Sequence, residues 1–571
     1  MSHLDWGVLA AWLAFIVAYG VWKGGRSRDM EGYLLAGKQM RWGTVALSIM
    51  ATQASAITFL STPGQAYADG MRFVQFYLGL PLAMIVLSAT AVPIYHRLKV
   101  YTAYEYLEGR FDLKTRALTA FLFLLQRGLA AGVTIFAPSL ILSVVLGWDL
   151  HLTVVAIGAL VVVYTTSGGT RAVSRTQTLQ MAVILAGMGA AFVVLWRALP
   201  ADVSLLDALR VAGKAGRLNA VDLSFNLHDR YTLWSGLIGG MFLALSYFGT
   251  DQSQVQRYLA GSSVAHSRLG LLVNGLVKVP MQFAILLLGA AVFAFYQFAA
   301  PPVFFNPVQT AAVRASASGS AFAGLEARYR DAAAARAARA HELVRATRDG
   351  DRPAIERAER SFRAASADAA AVRGEAISLM RSADHGADPS DTNYVFLGFV
   401  VAHMPAGLLG LVLATVFAAS MSASSAELNA LASTTVVDVY RRLLRPAASE
   451  RQVVLVSRLA TVAWGAFAVG FAEFASRLGS LVEAVNILGS LFYGTILGVF
   501  LTGFYVKRVG GTAVFAAAIA AEAAVLACFA FTRISFLWYN VLGCILVVAI
   551  AALLQTRIGR GVGPRPVPAM S

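Results

Sequence analysis

Residues 48–64 read SIMATQASAITFLSTPG, and they decide how the chain must fold. The stretch lies in an apolar run from 41 to 67, longer than the roughly 20 residues that cross a bilayer as a helix. Yet its middle holds Ser48, Thr52, Gln53, Ser55 and Thr58, and Pro63-Gly64 interrupts it. Polar side chains and broken backbone persist at membrane depth only where they are buried in protein or line a cavity. A second run, 231–257, carries the same signature in SYFGTDQSQVQR (246–257), polar in mid-span around Gly249-Thr250-Asp251.

The rest of the chain supplies the membrane setting for these two segments. Of 571 residues, 58% are hydrophobic and 14% charged, too few charges for a soluble surface of this size. Apolar runs recur at 6–23, 41–67, 71–96, 115–146, 149–166, 177–198, 231–257, 268–298, 405–438, 452–474, 477–505, 511–531 and 534–554. The expected fold is an all-α polytopic membrane protein of about 13 transmembrane helices. The broken runs are second and seventh in this order. Five is odd, so the two five-helix blocks enter the membrane from opposite faces, the topology of an inverted repeat with its sites at the broken helices. The expected organisation is an extra N-terminal helix and cytoplasmic loop (1–40), a first repeat (41–198), a second repeat (231–505) and a C-terminal unit (506–571). The second repeat is interrupted by an insertion (299–391), and the C-terminal unit comprises two helices and a basic tail.

A net charge of +16 raises nucleic acid as a partner, but the basic residues fall between the apolar runs. Lys23–Arg28, His96–Lys99, Arg171–Arg175, Arg257–Arg268, Arg441–Arg445, Lys507–Arg508 and Arg557–Arg565 all share one face, which the positive-inside rule makes cytoplasmic. Lipid, not nucleic acid, is therefore the expected surroundings, with the N-terminus outside and the C-terminus inside. The compact chain suggests a bacterial inner membrane. The run Trp6–Trp22 has no basic flank before it and no cleavage site after it, and reads as a retained helix rather than a signal peptide. Cys528 and Cys544 sit in late apolar runs and form no disulfide or metal framework.

The insertion 299–391 falls outside and is arginine-rich, which long external loops tolerate. Two stretches of strong helix formers are separated by the breaker Asp349-Gly350-Asp351-Arg352-Pro353, predicting an external helical hairpin. It is either a docking or gate-covering element for a protein partner or a solvated insertion.

Residues 413–433, LATVFAASMSASSAELNALAS, end another span with five serines and a threonine. These hydroxyls need partners other than lipid. They either touch a polar partner inside the bundle or let helices pack closely, since small residues permit close approach.

Three segments together carry a resemblance to the sodium:solute symporter family, covering nearly the whole chain outside 299–391. Gly168 to Gln180, GGTRAVSRTQTLQ, is similar to the family's GGxxAVxxTDxxQ segment. Asp251 to Arg257 resembles its (D/N)QxxxQR segment, and Ala414 to Tyr440 its serine-rich helix. The resemblance implies the LeuT-type inverted-repeat fold and solute uptake driven by sodium, with no organic cofactor.

Sodium is a hard cation and takes oxygen ligands, as calcium and magnesium do. Matched to the family, Ala51, Ala54 and Ala419 would give carbonyls and Ser422 a hydroxyl. Where the family places a second hydroxyl this chain has Ala423, and where it places an aspartate this chain has Gln177. Ser425, three residues beyond Ser422, lies on the same face and is the candidate substitute. Neither helix offers a mid-span lysine or arginine to replace the ion.

The resemblance puts the substrate among Gln53, Thr58, Phe76, Tyr77, Asp251 and Asn486. Tyr77 and Leu80 replace polar acceptors of the sugar carriers, which disfavours a sugar pocket. The Gln-Ser-Gln-Val-Gln-Arg-Tyr-Leu run looks more like the branch carrying monocarboxylates, vitamins and halide-like anions. Asp251 reads equally as a helix cap at the break, and Asn486 as glue between helices. Glu483 and Glu427 are expected near opposite membrane faces in solvated roles.

The function expected is sodium-coupled symport of a small polar or anionic solute by alternating access. The alternatives are a membrane sensor on the same scaffold or a proton-coupled carrier. No HExxH, P-loop or nucleophile elbow occurs, so no enzymatic activity is expected.

Overall fold

The computed structural model describes residues 2–24, 36–384, 388–475 and 478–558. Among these residues, regular structure is helical apart from one bridge between Met40 and Gly261. That bridge ties the entry to the first broken segment to the exit of the second, with Met40 N–H donating to Ala260 O (3.0 Å) and Ser262 N–H to Met40 O (2.9 Å).

Nine helices among the described residues are long and apolar enough to cross a bilayer, and one bent pair makes a tenth. The other expected spans occur as shorter apolar helices, His3–Ile16, Leu150–Thr166 and Ser235–Gly249. Length alone therefore does not reproduce the count of 13. Of the three, the first two belong to longer helices, His3–Gly24 and Leu150–Ala198, and the third ends at the break around Thr250. Between the two spans expected at 149–166 and 177–198 the backbone is helical without a turn, from Leu150 to Ala198. The side chains of 167–175, which carry part of the glycine-arginine motif, lie outside the described residues, as do most of the N-terminal basic cluster and the tail from 559.

The bent pair is Trp42–Gln53 and Ala56–Asp69, which meet at 60°. The break falls at Ala54-Ser55, not at Pro63-Gly64 as the composition suggested. Pro63 sits inside a continuous helix, where the missing N–H is tolerated because neighbouring helices cover the site. Gly64 serves close packing instead. A Cβ on it would lie 1.8 Å from the carbonyl oxygen of Thr392, in the helix Thr392–His403, and a Cβ on Gly289 would lie 2.1 Å from Pro63 O. Gly64→Ala is thus expected to destabilise the protein by about 1–3 kcal/mol through overpacking, read as an earlier unfolding transition of the purified chain.

The second break falls where the sequence placed it. Gly240–Gly249 ends at Thr250, and Asp251 caps Gln252–Leu259. The serine helix Leu408–Thr434 runs through the centre. Its most apolar window is 89% buried, against 33% for the peripheral Gly511–Phe531. Arg257, expected in a cytoplasmic cluster, is instead fully buried, with Nε donating to Ser253 O (3.3 Å).

The insertion forms two helices, Gly319–Asp349 and Arg352–Ala383. Gly350 closes the first in the left-handed conformation (φ 76°), Asp351 sits at the N-cap of the second, and Pro353 lies in its first turn, the placement each residue favours. The hairpin is seated rather than free. Ala340, Leu343, Val344 and Phe362 pack on Val211. Arg348 reaches Asp207 (2.6 Å), Arg373 reaches Asp391 (2.6 Å), and Arg336 donates to Tyr296 O (2.8 Å).

Candidate functional site

A helix leaves its last carbonyls without intrahelical partners, and the break at Ala54-Ser55 puts such an end in the middle of the bundle. Met50 O accepts from Ala54 N–H (2.9 Å) and Gln53 O from the Thr58 hydroxyl (3.1 Å). Ala51 O accepts from the Ser422 hydroxyl of the serine helix (3.1 Å). Ligand distances to hard cations run about 2.3–2.6 Å, so two oxygens sharing one ion stand at a comparable separation. Ala51, Ala54 and Ala419 are fully buried and pack in one small cluster with Met50, Phe59, Met181, Ile184 and Ile285. Four of the five sequence-derived cation residues therefore meet. The fifth, Ser425, turns back on its own helix, donating to Met421 O (2.5 Å) and Ser422 O (3.2 Å).

Gln177, where the family motif has an aspartate, clamps the half-helix Trp42–Gln53. Ser48 donates to Gln177 Oε1 (2.5 Å), and Gln177 Nε2 donates to Thr52 Oγ1 (3.2 Å).

The substrate residues divide into two groups. Gln53 Nε2 donates to Asn274 Oδ1 (3.0 Å), and Tyr77 OH accepts from Gln282 Nε2 (2.7 Å). Phe76 stands edge-on to Tyr77, centroids 4.8 Å apart. Asn274 and Gln282 belong to one helix, Val264–Phe295, and Lys278 lies midway between them on the same face. All three are buried, Lys278 at 2% exposure. Among the described residues its amine forms no ion pair, the paired lysines being Lys114 and Lys214. No motif marks Lys278 in the sequence, and its signal there is a lysine in the middle of an apolar run.

Asp251 lies in a different network. Its Oδ1 caps the second broken helix, accepting from Ser253 N–H (2.9 Å) and hydroxyl (2.6 Å). Its Oδ2 accepts from Tyr493 OH (2.9 Å) and pairs with Arg127. Arg127 also pairs with Glu427 (2.9 Å) and lies 5.4 Å from the Tyr247 ring centroid. Glu427 is thus buried in an ionic network rather than solvated. One guanidinium joins the helix Leu113–Leu146, the second break, the serine helix and Leu481–Tyr505. Asn486 donates within its own helix to Val482 O (2.7 Å).

A second network lies at the start of Leu481–Tyr505. Glu483 accepts from Arg230 (2.5 Å), Tyr231 OH (2.8 Å) and Gln65 (3.4 Å), while Ser480 donates to Gln65 Oε1 (2.9 Å). It ties the half-helix Ala56–Asp69 to that helix, so Glu483 too is a linking group rather than a solvated one.

Two broken helices, helix-end carbonyls facing a buried hydroxyl, and polar networks on either side of the breaks are the architecture of a secondary carrier. The chain belongs to the sodium:solute symporter family, whose model matches residues 33–328 and 371–520 and leaves out most of the hairpin. The sodium-coupled monocarboxylate transporter 1 of Homo sapiens is 28% identical over 513 residues, 88% of this chain and 69% of that protein. The human sodium/iodide cotransporter is 32% identical over 295 residues, 51% of this chain and 45% of that protein. A putative sodium-dependent multivitamin transporter of Drosophila melanogaster is 27% identical over 514 residues, covering 88% and 71%. Among solved structures, a substrate-bound, outward-open Na+-coupled sialic acid symporter superposes with a TM-score of 0.76 at 22% identity, covering 98% of this chain and 99% of that one. The protein is an integral membrane transporter, not an enzyme, and sodium is its coupling ion.

Proposed function

We propose that the protein takes up a small organic or halide-like anion with sodium by alternating access. The observation that carries this reading is Lys278. An intramembrane lysine costs about 2.5–3.5 kcal/mol when unpaired, and an anionic solute supplies the missing countercharge. The groups flanking it, Gln53, Asn274, Tyr77 and Gln282, are neutral hydrogen-bonding side chains, and both carboxylate oxygens of Asp251 are engaged elsewhere. Side chains of this chemistry hold a carboxylate and repel none. Relatives named for monocarboxylate and iodide transport agree with it.

Sodium at Ala51, Ala54, Ala419 and Ser422 would bridge the first broken helix to the serine helix. Each ligand shifts the conformational equilibrium by its differential affinity for the two states. The networks at Glu483 and at Arg127 are the contacts that opening to one side or the other must exchange. The five-plus-five organisation, the cytoplasmic C-terminus and an inner-membrane location complete the proposal, and the seated hairpin is the surface offered to an external partner.

The test is uptake into proteoliposomes of short monocarboxylates and iodide, under an inward sodium gradient or a matched potassium gradient. Saturable, sodium-driven uptake with mutual competition is expected. Equal uptake in both gradients, or no anion accumulated, contradicts the reading.

A further inference from the structure

The serine helix has a second polar face, turned away from Ser422. Ser420, Ser424 and Glu427 follow one another at spacings of four and three residues, which sets them on one side of the helix. Ser424 is rotated about 200° from Ser422. All three side chains are buried, at 1%, 0% and 6% exposure. Among the described residues the hydroxyls of Ser420 and Ser424 and the Oε2 of Glu427 have no hydrogen-bond partner. This face meets the helix Leu113–Leu146, where Arg127 Nη1 donates to Glu427 Oε1 (2.9 Å). Thr134, nearly two turns beyond Arg127 and therefore on its face, stands beside the same carboxyl.

The charges here do not balance. Arg127 is paired with Asp251 as well as with Glu427, and among the described residues neither acid pairs with a second cation. One guanidinium shared by two buried carboxylates leaves a surplus negative charge, which a low-dielectric interior penalises unless it is paired. The unpartnered oxygens of Glu427, Ser424 and Ser420 lie where that surplus lies, and buried polar atoms of this kind call for an explanation in what they bind. A proton on Glu427 would satisfy one of the three oxygens. A metal cation can engage all three.

We infer that Glu427, Ser424 and Ser420 form a separate site for a monovalent alkali cation on the far face of the serine helix, where the ion neutralises the Arg127 group. Thr134 adds an oxygen from the neighbouring helix: its hydroxyl donates to Ala130 O (3.1 Å) and keeps its acceptor capacity. Carboxylate and hydroxyl oxygens are the ligands a hard cation takes. Selectivity among such ions follows cavity size, ligand number and flexibility. Hydroxyls that turn freely along one helix fix no cavity size, so the site accepts potassium and sodium alike. The inference goes beyond sodium coupling at Ala51 and Ser422 and does not rest on it. An ion held here fastens Leu113–Leu146 to the serine helix and, through Arg127 and Asp251, to the second break.

The experiment follows the melting temperature of the full-length detergent-purified protein as potassium chloride replaces N-methylglucamine chloride at constant ionic strength. The organic cation is too large for the site. The wild type is expected to melt higher as potassium rises, because the bound ion favours the folded state. Ser424→Ala is expected to raise the potassium half-saturation roughly tenfold, as loss of one hydrogen-bond-strength ligand implies. Glu427→Gln removes the surplus charge with little change of shape, and is expected to melt no lower than the wild type in N-methylglucamine and to ignore potassium. Ser424→Ala changes no charge and keeps the test available should Glu427→Gln fold poorly. A wild type indifferent to potassium, an unchanged half-saturation in Ser424→Ala, or a potassium response that persists in Glu427→Gln overturns the inference. Stabilisation by acid in place of potassium overturns it too and assigns a proton to Glu427. The extra gain of sodium over potassium separates this site from the one at Ser422. Ser424→Ala should keep that gain, whereas Ser422→Ala should lose it and still respond to potassium. Loss of the sodium gain in Ser424→Ala with an intact potassium response would place Ser424 in the sodium site and overturn the inference.

Discussion

Replacing Lys278 by methionine is expected to reduce sodium-driven uptake of an anionic solute by about a hundredfold or more, because truncating one partner of a buried charge pair costs 2–5 kcal/mol. The loss should appear in solute binding and transport, not in folding. Methionine has similar length, and removing an unpaired buried ammonium is neutral or stabilising. The variant should therefore melt no lower than the wild type and retain its sodium-dependent stabilisation. Lys278→Arg keeps the charge but not its shape, and should retain part of the uptake with altered preference among anions. Undiminished uptake by Lys278→Met would show that the ammonium between Asn274 and Gln282 does not meet the solute.

The second large effect is expected at Arg127, whose guanidinium compensates both Asp251 and Glu427. Arg127→Met strands two buried carboxylates on neighbouring helices. Breaking a buried ion pair by removing one partner costs about 3–5 kcal/mol, and here one substitution breaks two. A marked fall in melting temperature and yield is expected. Neutralising the acids as well, with Asp251→Asn and Glu427→Gln in the Arg127→Met background, should recover much of the stability. Uptake should remain impaired, because Tyr493 and the capped break would have lost the group that joins them to the serine helix. Thermal unfolding of the single and triple variants, with uptake by the triple variant, checks both statements. Equal stability of Arg127→Met and wild type would contradict the first.

The membrane fold was legible because hydrophobic runs and their polar interruptions are local features. The polar middle of 48–64 announced a break, but its position was misjudged. Proline and glycine signal both breaks and close packing, and at Pro63-Gly64 the neighbours Thr392 and Gly289 select packing. The Asp349–Pro353 breaker located the hairpin turn because turn chemistry is local. Its docking through Val211 and Asp207 depends on residues more than a hundred positions away and leaves no local trace. At the site, Ala51, Ala54, Ala419 and Ser422 came from aligned motifs and meet in space. Ser425 was placed on the right face by periodicity, yet a helical serine can bond its own backbone, and it does. Asp251 shows the same limit, since whether a carboxylate meets solute or arginine depends on what the fold brings against it. Lys278 and Arg127 stand as charges inside apolar runs, but the groups that give each its role come from other helices and leave no trace in the local sequence.

The most direct measurement is the melting temperature of the purified full-length protein in sodium and in potassium at equal ionic strength, for the wild type and Ser422→Ala. A ligand that prefers the folded state raises apparent stability by mass action, so no substrate need be known. A sodium-specific rise in the wild type that disappears in Ser422→Ala is the predicted result, placing the coupling ion between the broken helix and the serine helix. A sodium-specific rise that survives unchanged in Ser422→Ala would put the ion elsewhere and contradict the account.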